Sequence, residues 1–168
     1  MRASPKPYPM PYRARDMSAL AVAEGIRTSR ILGELGDEFV LFGIGDLRPV
    51  GALVMHCASV YQYVATAFST DRWDEELHDP DATPAAMSAC VQALQHERQS
   101  AILAAKAVSP KRWRSPVKSF GFVDSVGSWL RRAVDHEIHH RAEICVYAAM
   151  GGRPVEDMYS CIRNRDTS

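Results

Sequence analysis

Hydrophobic residues recur along most of this chain at the three- and four-residue spacing that places them on one face of an α-helix. Four long segments follow this pattern, and each also has a polar face. We therefore predict helices over residues 16–35, 46–68, 83–108 and 124–150. The apolar run at residues 39–44 has no second run with which it could pair as a strand, and we interpret it as a packed connector.

Residues that favour helix ends mark the borders of these segments. Asp46 is suited to be an N-cap, with Pro49 tolerated in the first helical turn. Thr83, which precedes a proline, is the same kind of start signal. Gly36 follows the first segment and Gly151 follows the last, and glycine is the residue that most often terminates a helix.

Four amphipathic helices joined by mostly short loops can bury their apolar faces against one another. The sequence thus predicts an all-α protein, built as a four-helix bundle without a sheet. Residues 109–122 contain proline, glycine and several basic residues, and we expect them to form a loop. We divide the chain into a proline-rich N-terminal arm, residues 1–15, and a single bundle domain, residues 16–168.

The charge balance argues against several classes of partner. Twenty Lys and Arg residues balance twenty Asp and Glu residues, so no net field attracts nucleic acid or an anionic membrane. The basic residues of the 109–122 loop leave nucleic-acid binding as a minor alternative to a solvated loop. No apolar stretch approaches the roughly 18 residues of a membrane span, and no signal peptide is evident. The four cysteines lack C-x-x-C spacing, which suits reduced thiols, and we expect a cytoplasmic protein.

The last predicted helix contains the sequence HEIHH at residues 136–140, which satisfies the H-E-x-x-H pattern of zinc metalloproteases. On a helical wheel, His136 and His140 lie one turn apart at the edge of the apolar face, whereas His139 faces solvent. Two imidazoles in this arrangement are a suitable bidentate metal clamp because the helix backbone fixes their separation. The alternative is a pair of ordinary polar residues at the surface.

His56 in the second predicted helix is the candidate for a third metal ligand. It borders the apolar face of its helix, where a histidine is either a core residue with both nitrogens satisfied or a ligand. Three histidines would leave open positions on a metal for water or substrate. Glu143 and Tyr147 share the wheel sector of His136 and His140. We expect Glu143 either to orient a ligand histidine or to approach the metal itself.

These residues resemble a signature of the DinB-like superfamily, which includes DinB/YfiT-type bundle proteins. The last helix of such proteins carries H-x-x-x-H-R-G-Q, then an apolar run with a tyrosine, a glycine and a tail that ends in tyrosine. Here His136, His140 and Arg141 match the first motif, and residues 151–159 match the tail. His56 matches a histidine in the second helix of that superfamily.

The resemblance implies a metal-dependent four-helix bundle, often a homodimer, in which His56, His136 and His140 hold a divalent metal at one end of the bundle. Zinc and nickel are the first expectations, followed by iron and manganese. Characterised relatives use mycothiol, bacillithiol or glutathione. They imply a thiol-dependent transferase or a hydrolase that acts on a small molecule through a metal-bound thiol or water. Ala142 and Glu143 stand where Gly and Gln are usual, which weakens any transfer of a relative's substrate to this chain.

Two further interpretations stay open at this level. A non-catalytic, metal-binding or stress-responsive bundle would use the metal only to staple two helices, with Glu143 in the fourth coordination position. A zinc metalloprotease is a remote alternative, because the metzincin pattern requires a glycine and a histidine where this chain has Glu143 and Val146. Such proteases also bind substrate along a sheet edge. Glu137 points toward the apolar face, where we expect a buried or interface ion pair, with an arginine as one candidate partner.

Overall fold

A computed structural model describes residues 12–73, 82–153 and 155 of the chain. Within these ranges, four long helices, one short helix and a two-stranded hairpin are formed. In chain order the elements are α1 (Ala14–Gly33), a 3-10 turn (Asp37–Phe39), α2 (Val50–Thr70), α3 (Met87–Ala107), α4 (Pro110–Trp113), β1 (Pro116–Ser119), β2 (Phe122–Ser125) and α5 (Val126–Met150).

The four long helices form the predicted bundle. Helices α1 and α2 each pack against both α3 and α5, so that α1 and α2 lie at opposite corners of a four-cornered arrangement. All four helices contribute large, fully buried side chains to the core, among them Met17, Leu53, Tyr61, Leu94, Leu130 and Ile144. Burial of these apolar faces is the main source of stability for such a bundle. None of the helices in the described ranges has the length and apolar content that a membrane span requires.

The start of α2 differs from the prediction because of a proline. Helix α2 begins at Val50, and Pro49 is its N-cap in an extended conformation, with φ −60° and ψ 158°. A residue that precedes proline is disfavoured in the helical region, so a start at Asp46 is wrong. The first amide groups of α2, on Val50 and Gly51, donate hydrogen bonds of 2.9 Å to carbonyl groups in the 39–44 connector. The connector therefore caps α2, in addition to packing against the core.

Helix α3 also begins later than predicted, at Met87, because its cap comes from elsewhere in the chain. The backbone N–H of Met87 donates a 2.8 Å hydrogen bond to Oδ1 of Asp37, in the 3-10 turn. Thr83 therefore does not cap this helix, and the helix start depends on a tertiary contact. Helix α1 runs from Ala14 to Gly33, two residues ahead of the prediction at both ends.

The predicted arm and tail lie mostly beyond the described ranges. Residues 1–11 of the arm lie outside them, and α1 starts inside the boundary predicted for the arm. Residues 156–159 of the family-like tail are likewise outside the described residues. Helix α5 ends at Met150 as predicted, with Gly151 as its C-cap. No disulfide joins Cys57, Cys90 and Cys145, and Cys161 lies outside the described residues.

The prediction that the chain lacks strands is wrong at one place. Strands β1 and β2 form an antiparallel hairpin in which Ser119 pairs with Phe122 across the two-residue turn Phe120-Gly121. Both turn residues have positive φ, 47° and 74°, as in the type I′ turns that favour Asn-Gly. Four-residue strands are too short to show a clear alternating pattern, and phenylalanine in the turn hides the usual signal. The hairpin also takes up Asp124, so α5 starts at Val126.

A buried ion pair fixes α5 against α1. Nη2 of Arg141 donates a 2.8 Å hydrogen bond to Oε2 of Glu24, and Nη1 contacts the backbone oxygen of Glu24 and Oγ1 of Thr28. Both charged side chains are almost completely buried. The arginine that matches the superfamily motif therefore has a structural contact, and it orients the helix that carries two of the candidate ligands.

Candidate metal centre

Three imidazole rings meet between α2 and α5, as the sequence predicts. His136 and His140 lie one turn apart on α5 with ring centroids 4.4 Å apart, and His56 of α2 lies 4.8 and 5.4 Å from them. One ring nitrogen from each residue lies within 4.8 Å of those of the other two. All three rings are partly buried. The convergence is thus a structural fact, whereas metal binding by these residues is still a prediction.

The environment of His136 fits a metal ligand. Its Nε2 atom is buried and has no hydrogen-bond partner among the described residues. Burial, and then the positive charge that His140 and His56 would carry, lower the pKa of His136 from 6.5 to about 4. The ring is therefore neutral at physiological pH, and a neutral imidazole is the form that binds metals. A buried nitrogen without a partner is costly, and coordination to a cation would satisfy it.

Glu143 orients His140. Its Oε2 atom lies 2.9 Å from Nδ1 of His140, and its Oε1 atom accepts a 3.0 Å hydrogen bond from the hydroxyl of Tyr147. Burial lowers the pKa of His140, so the neutral ring donates its Nδ1–H to the carboxylate and keeps the lone pair of Nε2 for a metal. Burial alone would raise the pKa of Glu143, but the hydrogen bonds from His140 and Tyr147 outweigh this effect and lower it.

The contacts of Glu143 favour one of the two roles predicted for it. Both of its carboxylate oxygens are used, one by His140 and one by Tyr147. This arrangement is that of a residue that orients a ligand histidine. A second group, formed by His139, His140 and Glu143, also has suitable ligand atoms within 4.8 Å of one another. It relies on the exposed side chain of His139, as the helical wheel predicts, and on the carboxylate that already orients His140.

Glu137, the glutamate of the HEIHH sequence, faces away from these rings and into the core. Its carboxylate accepts hydrogen bonds of 2.7 and 3.1 Å from Nη2 and Nε of Arg98, and another of 2.7 Å from the hydroxyl of Tyr61. Only 1% of the Glu137 surface is exposed. The expected buried ion pair with an arginine is confirmed. Because a metalloprotease uses this glutamate as a general base on water at the metal, the geometry contradicts the protease interpretation.

Sequence reasoning missed the aromatic residues beside the candidate metal centre. A cavity of about 190 Å³ lies against His136, and Tyr63, Phe120 and Trp129 form part of its wall. The sequence SFGF in the 109–122 loop was the available signal, because it places two aromatic side chains around a glycine turn. The basic residues of that loop lie apart from this wall; Arg112, for example, pairs with Asp71.

Comparison with known proteins agrees with the fold and with the resemblance seen in the sequence. The family model described as the DinB superfamily matches residues 23–144, a range that contains all three histidines. The crystal structure of a DinB-like protein from Bacillus cereus ATCC 10987 is similar to this chain, with a TM-score of 0.69 and 18% sequence identity. The match covers 82% of this chain and 92% of that one. No curated protein matches the chain.

Proposed function

This chain belongs to the DinB superfamily, and on that premise we propose that it binds one divalent metal ion through His56, His136 and His140. The observation that carries the proposal is the meeting of three partly buried imidazoles from two helices. One of these rings, that of His136, has a buried nitrogen with no hydrogen-bond partner in the described part of the chain. Imidazole nitrogens suit zinc and nickel, and also iron, whereas manganese more often takes oxygen ligands and is the last of the four expected metals.

We further propose that the protein is a metal- and thiol-dependent transferase or hydrolase acting on a small molecule. When bound, the metal supplies Lewis-acid chemistry that lowers the pKa of a nearby thiol or water. The chain's own residues contribute orientation. Glu143 fixes the tautomer of His140, Tyr147 fixes Glu143, and the Arg141–Glu24 pair holds α5 in place. These contacts set the directions of the ligand lone pairs before any ion binds, which is the usual benefit of such supporting groups.

The non-catalytic alternative requires a closed coordination sphere, for which Glu143 is the candidate fourth ligand. Both oxygens of Glu143 already accept hydrogen bonds, which supports a site with three protein ligands and room for a further one. Catalytic zinc sites commonly have three protein ligands, whereas structural sites have four. This observation favours the enzyme over the metal staple.

A cobalt-substituted protein would test this proposal. Protein freed of metal by chelation is loaded with Co(II), and its visible spectrum is recorded during titration with glutathione and 2-mercaptoethanol. We expect both thiols to change the spectrum, while the matched alcohol, ethylene glycol, leaves it unchanged. If several low-molecular-weight thiols leave the spectrum unaltered, the thiol-dependent activity is wrong.

A further inference from the structure

The cavity beside His136 lies between α2, the β-hairpin and α5, and its volume of about 190 Å³ would hold a ring-sized molecule. The cavity is partly open to solvent, and its volume is comparable to the enclosed apolar cavities of about 150 Å³ that bind benzene in other proteins. The lining is mainly aromatic and aliphatic, and includes Val60, Tyr63, Phe120, Phe122, Trp129 and Ala133. His136 completes the wall, so the cavity and the candidate metal centre share one residue.

Three aromatic rings form the densest part of this wall. The ring centroid of Tyr63 lies 5.3 Å from that of Phe120 and 6.2 Å from that of Trp129, and the Phe120 and Trp129 centroids are 6.1 Å apart. All three pairs are tilted or edge-to-face, the geometry that aromatic rings prefer. A planar apolar guest can add a further ring to such a cluster.

Two polar side chains of the wall, Tyr63 and Arg132, have partners, whereas the buried Nε1 of Trp129 and Nε2 of His136 have none among the described residues. The hydroxyl of Tyr63 hydrogen-bonds to Ser119. Arg132, at the edge of the cavity, donates a 3.0 Å hydrogen bond to Asp124 and stacks on Phe122, with the guanidinium carbon 4.9 Å from the ring centroid. Because Asp124 balances its charge, Arg132 contributes a flat stacking surface to the edge of the cavity rather than an unpaired positive charge. The lining therefore suits an uncharged guest.

Phe120 occupies a conformation that the hairpin alone would not select. Its φ of 47° is one that bulky residues adopt rarely, and the turn position it holds favours asparagine or glycine. The ring nevertheless packs against Tyr63 and Trp129 and closes one side of the cavity. Phe120 thus forms part of the cavity wall although its backbone conformation is unfavourable for this residue. Such local backbone strain is common at ligand sites.

We propose that this cavity binds an uncharged, ring-sized apolar group of the substrate, such as a phenyl ring, with His136 at the end where the reaction takes place. The assignment of the guest to a substrate rests on the proposed function. The binding of an apolar ring does not, because Tyr63, Phe120 and Trp129 form the cavity independently of any metal.

Toluene is the probe for this proposal, and its dissociation constant can be measured by ligand-observed NMR on the full-length protein, both metal-loaded and chelated. Phe120→Asn creates the favoured Asn-Gly turn while it removes one wall, so the fold should persist and the dissociation constant should rise about tenfold. Val60→Phe should abolish binding by filling the cavity. Leu103→Ala, on the exposed face of α3, is the control and should leave binding unchanged. Circular dichroism checks the fold of each variant.

Three results would overturn the cavity proposal: no toluene binding by the wild type, equal binding by wild type and Phe120→Asn, or an equal loss in Leu103→Ala. Benzoate and benzylamine should bind at least about tenfold more weakly than toluene, because a charged group is costly to bury. Equal affinities would also contradict the cavity proposal.

Toluene binding by a protein that takes up no metal would refute the proposed function and leave the cavity assignment intact. Metal uptake without toluene binding would refute the cavity assignment and leave the proposed function intact.

Discussion

Arg98 on α3 donates two hydrogen bonds, of 2.7 and 3.1 Å, to the carboxylate of Glu137 on α5. The side chain of Glu137 therefore lies in a different part of the molecule from the histidines that neighbour it in the HEIHH sequence. His136 and His140 point to one side of α5, toward His56, while Glu137 is buried in the bundle. The HEIHH sequence thus contributes to two separate features of this fold. His136 and His140 belong to the candidate metal centre, and Glu137 belongs to an ion pair in the core.

Removal of one partner of the buried Arg98–Glu137 pair should strongly destabilise the protein, because the other partner stays buried. We expect Glu137→Ala to lower the free energy of unfolding by about 3–5 kcal/mol, because it leaves a buried guanidinium without its counter-charge. Urea denaturation measures the change. Asp135→Ala, which breaks the exposed pair with Arg131 on the same helix, is the control and should cost less than about 1 kcal/mol. Similar losses in the two variants would contradict the role assigned to Arg98.

A glycine on α1 makes room for the same arginine. A Cβ atom at Gly25 would lie 2.7 Å from Nε of Arg98, too close for contact, whereas one at Gly33 would meet no atom of the described residues within 4 Å. We expect Gly25→Ala to lower the free energy of unfolding by about 1–3 kcal/mol. Gly33→Ala should be neutral or stabilise the protein by up to about 1 kcal/mol. Thermal denaturation of both variants tests this, and a harmless Gly25→Ala would show that Arg98 is not confined as described.

Removal of the group that orients His140 should weaken metal binding. We expect Glu143→Ala to lower the affinity about 10- to 100-fold, because His140 loses the acceptor for its Nδ1–H. Glu143→Gln keeps an acceptor oxygen and should fall between this variant and the wild type. Competition with a chromophoric chelator gives the affinities. An unchanged affinity in Glu143→Ala would show that the carboxylate does not support the site.

Protonation of His136 should destabilise the metal-free protein in acid. Burial, and then the charges of His140 and His56, lower its pKa to about 4 in the folded state from the ordinary 6.5. A lowered folded pKa means that the unfolded state binds the proton first, so the contribution of His136 is complete above pH 6.5 and is lost as the pH falls toward 4. Urea denaturation of chelated protein at pH 7.5 and 5 should show a smaller pH effect in His136→Phe than in the wild type. The same pH effect in both would contradict this assignment.

The helices and two features of α5 could be predicted from the sequence because each depends on local periodicity. A spacing of four residues puts His136 and His140 on one face whatever surrounds them, and the same helical wheel turns Glu137 toward the apolar face. Helix starts were less predictable where distant residues decide them. Asp37 caps α3 from another part of the chain, and only the assembled bundle reveals this contact.

The partners across the bundle could not be predicted either. Arg98 reads as an ordinary charged residue on α3, and its pairing with Glu137 depends on how α3 and α5 pack. The cavity depends on the hairpin, which holds Phe120 against α2 and α5 through a turn with an unusual residue in it. The homodimer, the small-molecule substrate and the cytoplasmic location stay predictions, since no feature described above tests them.

The metal content of untagged, full-length protein is the decisive measurement for the three-histidine site. Elemental analysis of the wild type, His136→Ala and His139→Ala compares a candidate ligand with its exposed neighbour on the same helix. We expect about one equivalent of a divalent metal in the wild type and in His139→Ala, and little or none in His136→Ala, which has lost one of three ligands. Equal metal in the wild type and in His136→Ala would contradict it.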